Sequence, residues 1–409
     1  MNSKISGFYK LNVGERLKKI TQEANLNMEE AASLAGVGLG SDLADKMVEN
    51  VIGTFELPVG VAVNFQINGI DYLIPMVTEE PSVIAAASNA AKMIREGGGF
   101  KAQSTQPVMI GQIQLIECGQ DSMEKIRSKK QEYLDFLKSV DPTLVKFGGG
   151  PVDITVREVS DMVVVHLHVN VADAMGANAV NTMCEAIAPK LEEVTTGRAI
   201  LKILTNYAVE RTATARVVVP KSAVGGGEVV DRIIWACKLA NEDVYRAVTH
   251  NKGIMNGVTS VVLATGNDTR AVEAGCHSFA VKNGRYTSLS KWAKNPNGDL
   301  EGELTIPVAV GLVGGATKTH PVAKTCVKIL GVKTSRELGE ILACVGLAQN
   351  LAAIRALADE GIQTGHMRLH AKNIAVLAGA TGEKIDEVAE KMVASGKVSV
   401  DEAKKMFGQ

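Results

Sequence analysis

The chain has 409 residues, of which 46% are hydrophobic and only 4% aromatic, and it contains 40 glycines. This length predicts two or three domains with a substantial core. The formal net charge of −1 argues against a global field that recruits nucleic acid or an anionic membrane. The longest apolar stretch, near Ile306 to Ala316, is too short to span a bilayer, and the N-terminus lacks the apolar core of a signal peptide. We therefore expect a cytoplasmic protein that does not enter a membrane.

Helices predominate in the first hundred residues. The pattern predicts four of them, over 13–24, 28–34, 43–50 and 81–95. Asn27 is expected to cap the second helix and Ser41 or Asp42 the third, because short polar side chains accept hydrogen bonds from the first free N–H groups. Three consecutive glycines at 97–99 end the fourth helix.

From about Gln106 the sequence changes to strands that alternate with helices. The predicted order is a strand at 108–116, a helix at 123–139, strands at 153–159 and 162–171, a helix at 177–191 and a strand at 199–204. This order is typical of a split βαβ, ferredoxin-like module. We therefore predict an inserted α+β domain over residues 107–207.

The core-like pattern returns at Thr212 and continues to about residue 360. Predicted strands at 215–220, 258–264 and 304–310 alternate with helices at 227–241 and 335–357. Residues 1–106 and 208–360 then form one discontinuous large domain of an α/β protein. Residues 361–409 are predicted to form two or three short helices with a break at 379–382, and such a segment is suited to act as a lid.

No metal site is predicted. The six cysteines are scattered without a CxxC pair, which indicates small buried side chains in a reducing compartment. His166 and His168 alternate on a predicted strand and therefore face the same side. Because no cysteine or carboxylate is spaced as a further ligand, a structural role is the better interpretation of the pair.

The stretch from His250 to Gly257, followed by Ala264 to Asp268, carries the clearest chemical signal. It sets Lys252, Asp268 and several amides among glycines and small residues. A lysine that is held by an aspartate can direct positive charge at a developing oxyanion. The alternative is an ordinary surface ion pair between two loops, which contributes little.

Standard phosphate-binding loops are absent from the sequence. The run from Gly36 has Ser41 where a dinucleotide fingerprint needs its third glycine, and the run from Gly311 has Leu312 and Thr317 where a P-loop needs glycines. Gly148 to Gly150 and Asp173 to Asn178 remain. The second of these runs opens the helix predicted at 177, and N–H groups at a helix N-terminus bind pyrophosphate.

Seven segments, in one order along nearly the whole chain, resemble the 3-hydroxy-3-methylglutaryl-coenzyme A (HMG-CoA) reductase family in its soluble bacterial and archaeal class. The segments are Glu49–Gly53, Glu79–Val83, Asp173–Asn178, His250–Gly253, Gly266–Asp268, Gly346–Asn350 and Gly365–Met367. The resemblance implies a four-electron reduction of HMG-CoA to mevalonate and free CoA, with two nicotinamide cofactors used in turn, or the reverse oxidation of mevalonate.

The resemblance also implies the catalytic residues. Glu80 matches the acid that protonates the carbonyl oxygen of the aldehyde intermediate, and Lys252 matches the lysine that stabilises the oxyanion formed at the thioester carbon. Asp268 matches the residue that ties this lysine and glutamate into one network. His366 matches the histidine that protonates the departing CoA thiolate once the lid closes. Taken without the family, His366 and His370 would read as an exposed helix face or a metal pair.

Substrate-binding residues follow in the same way. Ser82, Arg246, Gln349 and Asn350 match positions near the free carboxylate of the glutaryl group, and Asn256 belongs to the same neighbourhood. Arginine suits this task because its guanidinium binds a carboxylate with two parallel hydrogen bonds.

The inserted domain resembles the family's cofactor domain, which is not a Rossmann fold. Asp173, Met175, Gly176 and Asn178 then lie along the dinucleotide. Asp141 falls where relatives that prefer NADH have an aspartate for the adenosine ribose. A carboxylate accepts a hydrogen bond from the 2′-OH and repels a 2′-phosphate, so NADH is favoured over NADPH, which remains possible.

Family members build the active site across a dimer interface near the segment that matches Glu49–Gly53, so we expect a homodimer or a higher homo-oligomer. Two alternatives stay open at this point. One is a CoA-thioester acyltransferase or lyase that needs no nicotinamide, although no cysteine other than Cys276 lies beside a histidine. The other is a non-catalytic CoA-binding protein on the same fold, against which the joint presence of four catalytic positions speaks.

Overall fold

Strands make up two four-stranded sheets and two hairpins in the part of the chain that the structure describes. A computed structural model describes residues 1–36, 38–358, 371–382 and 384–406. The strands are β1 (Val59–Ile67), β2 (Ile70–Val77), β3 (Lys101–Ser104), β4 (Val108–Ile116), β5 (Gly150–Val159), β6 (Met162–Asn170), β7 (Arg198–Leu204), β8 (Thr212–Val219), β9 (Val281–Lys282), β10 (Arg285–Tyr286), β11 (Ser290–Lys294) and β12 (Leu300–Pro307).

Helices connect and cover these sheets. They are α1 (Val13–Glu23), α2 (Met28–Leu34), α3 (Ser41–Met47), α4 (Val83–Glu96), α5 (Ser122–Ser128), α6 (Lys130–Val140), α7 (Pro142–Lys146), α8 (Ala177–Thr195), α9 (Lys221–Val224), α10 (Gly227–Glu242), α11 (Val244–Ala264), α12 (Thr269–Phe279), α13 (Gly315–Thr319), α14 (Pro321–Leu330), α15 (Ser335–Ala358), α16 (371–377), α17 (Lys384–Ser395) and α18 (Val400–Met406). The α/β class predicted from the sequence is confirmed.

The sheet with the larger hydrophobic core, called the large sheet below, has the order β11-β12-β8-β3. Its core is completed by α4, α10, α11 and the long apolar helix α15. Strands β3 and β8 pair side by side, from Lys101 with Arg216 to Ser104 with Ala213. The chain therefore leaves this sheet at Ser104 and returns to it at Thr212, beside the point where it left.

The second four-stranded sheet is called the small sheet below because its core is smaller. It is formed between those two points, in the antiparallel order β5-β6-β4-β7. Strands β4 and β5 are linked through helices but do not pair, because β6 lies between them, which is the split βαβ arrangement predicted. Residues between Met109 and Ala208, together with Ala309, form its separate core with α5, α6 and α8. The exact domain boundaries at 106/107 and 207/208 stay predictions.

Several predicted helices differ in detail. Asn27 caps α2 in a capping box with Glu30, as predicted. The cap of α3 was predicted wrongly, since Gly40 precedes this helix and Ser41 already belongs to its first turn. The helix predicted at 123–139 is two helices, because Lys129 has a ψ of 7°, which departs from the helical value.

The strand predicted at 258–264 is wrong, because these residues form the last turns of α11. A continuous apolar run does not distinguish a buried strand from a buried helix by periodicity. The hairpin that β1 and β2 form was not predicted from the sequence. Its signal was Asn68-Gly69, whose positive φ values of 50° and 83° are those of a tight hairpin turn.

Helix α15 is the one helix of the described residues that is long and apolar enough to cross a membrane. Its apolar run is longer than the one near Ile306 that was predicted to be the longest. Two thirds of its apolar window, 67%, is buried inside the fold, as in the core helix of a globular protein. The length and composition of α15 are therefore weak evidence for a membrane span.

The C-terminal helices pack on one another through small residues such as Ala371 and Ala375 and through Met392. The break predicted at 379–382 is confirmed, since α16 ends at 377 and α17 begins at Lys384. Residues 359–370, with the predicted His366, lie outside the described residues.

Candidate active site

Helix α11 carries the lysine of the candidate site. Asp243 caps this helix by accepting a hydrogen bond from the backbone N–H of Arg246, 2.8 Å away. The stretch from His250 to Gly257, which the surface-pair alternative assigned to a loop, is helical in spite of its glycines. Lys252 and Asn256 are one turn apart and therefore share a face.

Glu80 meets Lys252 directly. The Glu80 Oε2 and Lys252 Nζ atoms are 2.7 Å apart, and the two side chains are 36% and 59% exposed. Glu80 lies in the turn between β2 and α4, where its N–H donates to Thr78 Oγ1. Ser82 follows with a φ of 74°, a left-handed conformation that costs a non-glycine residue about 1–3 kcal/mol. This strained turn presents Glu80 to α11.

A cavity of about 430 Å³ opens beside this pair. Glu80 and Asn256 are among its lining residues, with Glu273 of α12 on another wall. Glu273 Oε2 lies 2.8 Å from His277 Nε2, and His277 Nδ1 lies 2.6 Å from the Tyr286 hydroxyl. Glu273 and His277 were not among the predicted site residues, because their only signal in the sequence is an i,i+4 spacing on a helix.

A larger groove, of about 1390 Å³, lies on another part of the molecule between the N-terminal segment, β1 and α4. Of the predicted catalytic residues that the structure describes, Glu80, Lys252 and Asp268, none lines it. We place the candidate site at the smaller cavity because Glu80, which pairs with Lys252, lines it, and size alone does not define a chemical site.

Asp268 does not join this pair within the chain. Its Oδ1 caps α12 by accepting from the N–H groups of Arg270 and Ala271, at 3.0 and 3.1 Å. Among the described hydrogen bonds and ion pairs, the acidic partner of Lys252 is Glu80. Twelve residues separate Lys252 from the end of α11 at Ala264, which is about 18 Å along the helix axis. The predicted triad of Glu80, Lys252 and Asp268 is therefore not assembled in one copy.

Asn350 belongs to a buried polar network and not to an exposed surface. Its Oδ1 accepts from the indole N–H of Trp292 at 2.7 Å and from Ser290 Oγ at 2.8 Å. Because an indole N–H only donates, this atom must be the amide oxygen. The Nδ2 of Asn350 then donates to His250 Nε2, 3.0 Å away. His250 accepts at this nitrogen and is neutral.

Burial, and after it the nearby charge of Arg246, together lower the pKa of His250 to about 3. Gln349 lies against Gly257 of α11, and its buried Oε1 has no hydrogen-bond partner among the described residues. Arg246 is half-buried, and burial lowers the pKa of its guanidinium. Its guanidinium forms no ion pair with the residues that the structure describes, so it is available to an anionic ligand.

Three of the predicted cofactor residues, Asp173, Met175 and Gly176, lie on the loop from β6 to α8. Gly176 precedes α8 with a φ of 103°, and a Cβ there would come within 2.4 Å of the Val171 side chain. Asp173 Oδ1 accepts from the N–H of Ser335 at 2.7 Å, while Asn178 is exposed in the first turn of α8. Only a glycine fits at 176, so the free N–H groups at the start of α8 stay accessible to a phosphate.

Asp141 caps α7, because its Oδ1 accepts from the N–H of Leu144 at 2.8 Å. This turn packs at the same end of the small sheet as the cofactor loop, since a Cβ at Gly149 would come within 2.6 Å of the Asn170 carbonyl oxygen. The second oxygen of Asp141 makes no described hydrogen bond and can accept from a ribose hydroxyl.

Two predicted structural roles fit what the structure describes. Five of the six cysteines are buried, and Cys118 is half-buried. His168 lies 2.9 Å from both Thr155 and Glu210, and His166 lies 2.9 Å from Gln112. No group of three or more metal-ligating side chains occurs among the described residues.

Comparison with known proteins identifies the family. The model of the hydroxymethylglutaryl-coenzyme A reductase family matches residues 12–371. The chain is 52% identical to the 3-hydroxy-3-methylglutaryl-coenzyme A reductase of Archaeoglobus fulgidus, over 100% of this chain and 94% of that protein. It is 39% identical to the probable enzyme of Borreliella burgdorferi, over 81% and 78% of the two chains.

Comparison with solved structures points to the same family. The fold matches the 3-hydroxy-3-methylglutaryl-coenzyme A reductase of Streptococcus pneumoniae with a TM-score of 0.85 and 40% identity, over 98% of this chain and 99% of that one. It also matches the class II enzyme of that organism bound to NADPH in open conformations, with a TM-score of 0.83 and 41% identity over 97% and 99% of the chains. The chain therefore belongs to the hydroxymethylglutaryl-coenzyme A reductase family and is an oxidoreductase of the HMG-CoA reductase type.

Proposed function

We propose that the protein reduces (S)-HMG-CoA to mevalonate and CoA with two reduced nicotinamides, or runs the same reaction in reverse. The observation that carries this proposal is the contact of 2.7 Å between Lys252 and Glu80 at the edge of the 430 Å³ cavity. An ammonium group and a carboxyl that meet at a cavity can serve the two needs of carbonyl reduction, which are charge stabilisation and proton delivery.

Each residue has one task in this reaction. Lys252 stabilises the oxyanion that develops at the thioester carbon, and the reduced nicotinamide supplies the hydride when it is bound. The carbon–sulfur bond then breaks, and His366 protonates the CoA thiolate that leaves. Glu80 protonates the carbonyl oxygen of the aldehyde in the second reduction. Two reduced nicotinamides and two protons are consumed for each mevalonate and CoA released.

Asp268 acts on Lys252 of a second copy of the chain in this proposal. Its separation from Lys252 within one chain, and its cap role at an exposed helix end, leave it free to face a neighbour. Ile52 and Phe55 support the same proposal, because the segment before β1 exposes them almost completely, at 104% and 89%. Exposed large apolar side chains mark interaction surfaces. The enzyme is then a homodimer or a higher homo-oligomer.

Mixed oligomers test this arrangement. Lys252→Met and Asp268→Asn are each expected to lower activity by at least about a hundredfold when expressed alone. In a dimer of one chain of each kind, one site carries both changes and the other carries neither, so a random mixture regains about a quarter of wild-type activity. Co-expression of the two chains and a rate assay on the unseparated mixture measure it. A mixture as inactive as its parents would show that both residues serve the same copy's site.

The carboxylate of the glutaryl group pairs with Arg246, whose guanidinium makes no ion pair with the described residues. Ser82 and Asn256 lie near Glu80 and Lys252 and contribute hydrogen bonds to the same substrate. The Oε1 of Gln349 has no hydrogen-bond partner among the described residues and can accept a hydrogen bond from the substrate. Asn350 does not bind the substrate directly in this proposal. It stabilises these substrate-binding residues from the core, because its amide is already bonded to Trp292 and His250.

We propose NADH as the preferred cofactor. The free oxygen of Asp141 suits a ribose 2′-OH and repels a 2′-phosphate. The Streptococcus pneumoniae relative was solved with NADPH bound. In this proposal the cofactor preference of this chain is set by Asp141 and is not inherited from that relative.

The decisive experiment follows the absorbance of the reduced nicotinamide with HMG-CoA present, separately with NADH and NADPH. Oxidation that depends on HMG-CoA and is faster with NADH supports both the reaction and the role of Asp141. Equal rates, or faster oxidation of NADPH, keep the reaction and reject the role of Asp141. No oxidation, with mevalonate and CoA also inert in reverse, would favour the acyltransferase or lyase, or the non-catalytic CoA-binding protein.

Three further proposals complete this function. The protein acts in the cytoplasm. Residues 107–207 form the cofactor domain, inserted into a substrate domain of residues 1–106 and 208–360. Residues 361–409 form a lid that brings His366 to the substrate.

A further inference from the structure

Arg211 is a buried cation outside the residues assigned above. It lies just before β8, where the chain returns from the small sheet to the large one, and it is only 3% exposed. A buried charge is costly unless it is fully hydrogen-bonded, so the partners of this guanidinium show what it is for. Burial lowers the pKa of Arg211 to about 10, so the side chain stays charged near neutral pH.

Its partners are on three segments that meet at the cofactor loop. Nη1 donates to the carbonyl oxygens of Ala174 and Met175, at 3.0 and 3.2 Å. Nη2 donates to the Val310 carbonyl oxygen and to Ser335 Oγ. No carboxylate makes an ion pair with Arg211 among the described residues, although Asp173 is close enough to favour its charged form.

The two carbonyls of the cofactor loop are thereby fixed in direction. In a planar trans peptide the C=O and N–H groups point opposite ways. Because the carbonyls of Ala174 and Met175 point to the guanidinium, the N–H groups of Met175 and Gly176 point away from it. The N–H group of Gly176 immediately precedes α8, where a dinucleotide phosphate would be bound, whereas the nitrogen of Met175 lies against Gly311.

Two further contacts hold the loop from the large sheet's side. The hydroxyl of Ser335 donates to the Ala172 carbonyl oxygen at 3.1 Å, and its N–H donates to Asp173. Gly311 lies against the peptide that joins residues 174 and 175, since a Cβ at Gly311 would come within 2.4 Å of Met175 N and 2.8 Å of Ala174 C. The loop is therefore clamped between Arg211 and Gly311.

We propose that Arg211 is a positioning residue that fixes the loop from Asp173 to Gly176 in the conformation that binds the reduced nicotinamide dinucleotide. The proposal rests on the function proposed above. It differs from a purely structural role, because it requires cofactor binding to weaken while binding of HMG-CoA is spared. A displacement of about 1 Å in a binding group can cost on the order of a hundredfold in rate.

The test compares Arg211→Lys with Arg95→Lys in the full-length protein. Lysine keeps the charge but cannot reach four oxygens on three segments. Arg95 is a matched control, because it also bonds Ser3, Asn64 and Asp71 from a partly buried position, on a different part of the molecule. The dissociation constants of NADH and NADPH are measured by the fluorescence of the bound reduced nucleotide, and the KM for HMG-CoA by the rate assay.

Arg211→Lys is expected to raise the dissociation constant of the preferred nucleotide on the order of tenfold, with the KM for HMG-CoA changed by less than about twofold. Arg95→Lys should change neither. The proposal is overturned if folded Arg211→Lys binds the nucleotide normally, or if the two variants weaken it equally.

A second pair of variants covers the case in which Arg211→Lys does not fold. Gly311→Ala should weaken nucleotide binding in the same way, because the added Cβ would displace the peptide that joins residues 174 and 175. Gly197→Ala is its control, since a Cβ there meets the Ile116 carbonyl oxygen at 2.7 Å, near the opposite end of the small sheet. Normal nucleotide binding in Gly311→Ala would overturn the proposal. Nucleotide binding needs no HMG-CoA, so these results stand apart from a failure of the wild-type protein to reduce HMG-CoA.

Discussion

Replacing Lys252 with methionine is expected to lower kcat by about 10²–10³-fold, the range found when one group that stabilises an oxyanion is removed. Methionine keeps the length of the side chain and its place on the exposed face of α11, so the helix should not change. What is lost is the ammonium group 2.7 Å from Glu80 Oε2. The developing negative charge at the thioester carbon would then face only the carboxyl of Glu80. Steady-state rates with saturating HMG-CoA and nicotinamide measure the effect.

A matched control separates this chemistry from the loss of any surface ion pair. Lys328 Nζ lies 2.6 Å from Glu30 Oε2 and is 40% exposed, so its contact resembles that of Lys252 but is away from the cavity. Lys328→Met should keep full activity, because an exposed ion pair contributes at most about 1 kcal/mol to stability. If Lys252→Met also kept full activity, the pair with Glu80 would be such a surface contact and the assignment of the site would fail.

Much of the fold could be predicted from the sequence where local signals and burial agree. The small sheet is the clearest case, since its strands alternate in polarity and its connections are short, which leaves the split βαβ order as the simple solution. The run from Val258 to Ala264 shows the limit. Its β-branched residues favour a strand, but α11 is packed against α15 and β2 along its length, and burial on several sides decides the conformation.

The catalytic positions could be named from the family resemblance, but their arrangement could not. The spacing of Glu80 and Lys252 along the chain says nothing of a contact between them, which depends on the strained turn at Ser82. Asp268 was expected beside Lys252, yet the length of α11 keeps the two apart in one copy. Asn350 was expected at the substrate, but the indole of Trp292 engages it in the core. Such contacts between distant segments leave no periodic signal in a sequence.

His250 makes the stability of the fold depend on pH. The pKa of its imidazole in the folded protein is about 3, against an ordinary value of 6.5. The unfolded chain therefore binds a proton here more readily than the folded one. The stability that the neutral imidazole contributes is complete above about pH 6.5 and is lost as the pH falls towards 3, by up to about 1.4 kcal/mol for each pH unit.

His250→Gln removes this titration while keeping an amide oxygen that can accept from Asn350 Nδ2. The variant should be less stable than the wild type at pH 7, because the buried network is disturbed. That difference in free energy of unfolding should shrink by about 2 kcal/mol between pH 7 and pH 5, because only the wild type loses stability through His250. Urea unfolding of both proteins at several pH values measures it, and the carboxylates that titrate in both proteins cancel in the difference.

His277→Gln is the control, since His277 is 36% exposed and bonded to Glu273 and Tyr286 at the surface of the fold. If the difference in free energy of unfolding between wild type and His250→Gln did not change with pH, the imidazole would already be reached by water.

The network of Trp292, Asn350 and His250 joins α11 to α15, so its protonation acts on the helix that carries Arg246 and Lys252. We therefore expect activity at low pH to fall together with the stability of this network, and less steeply in His250→Gln.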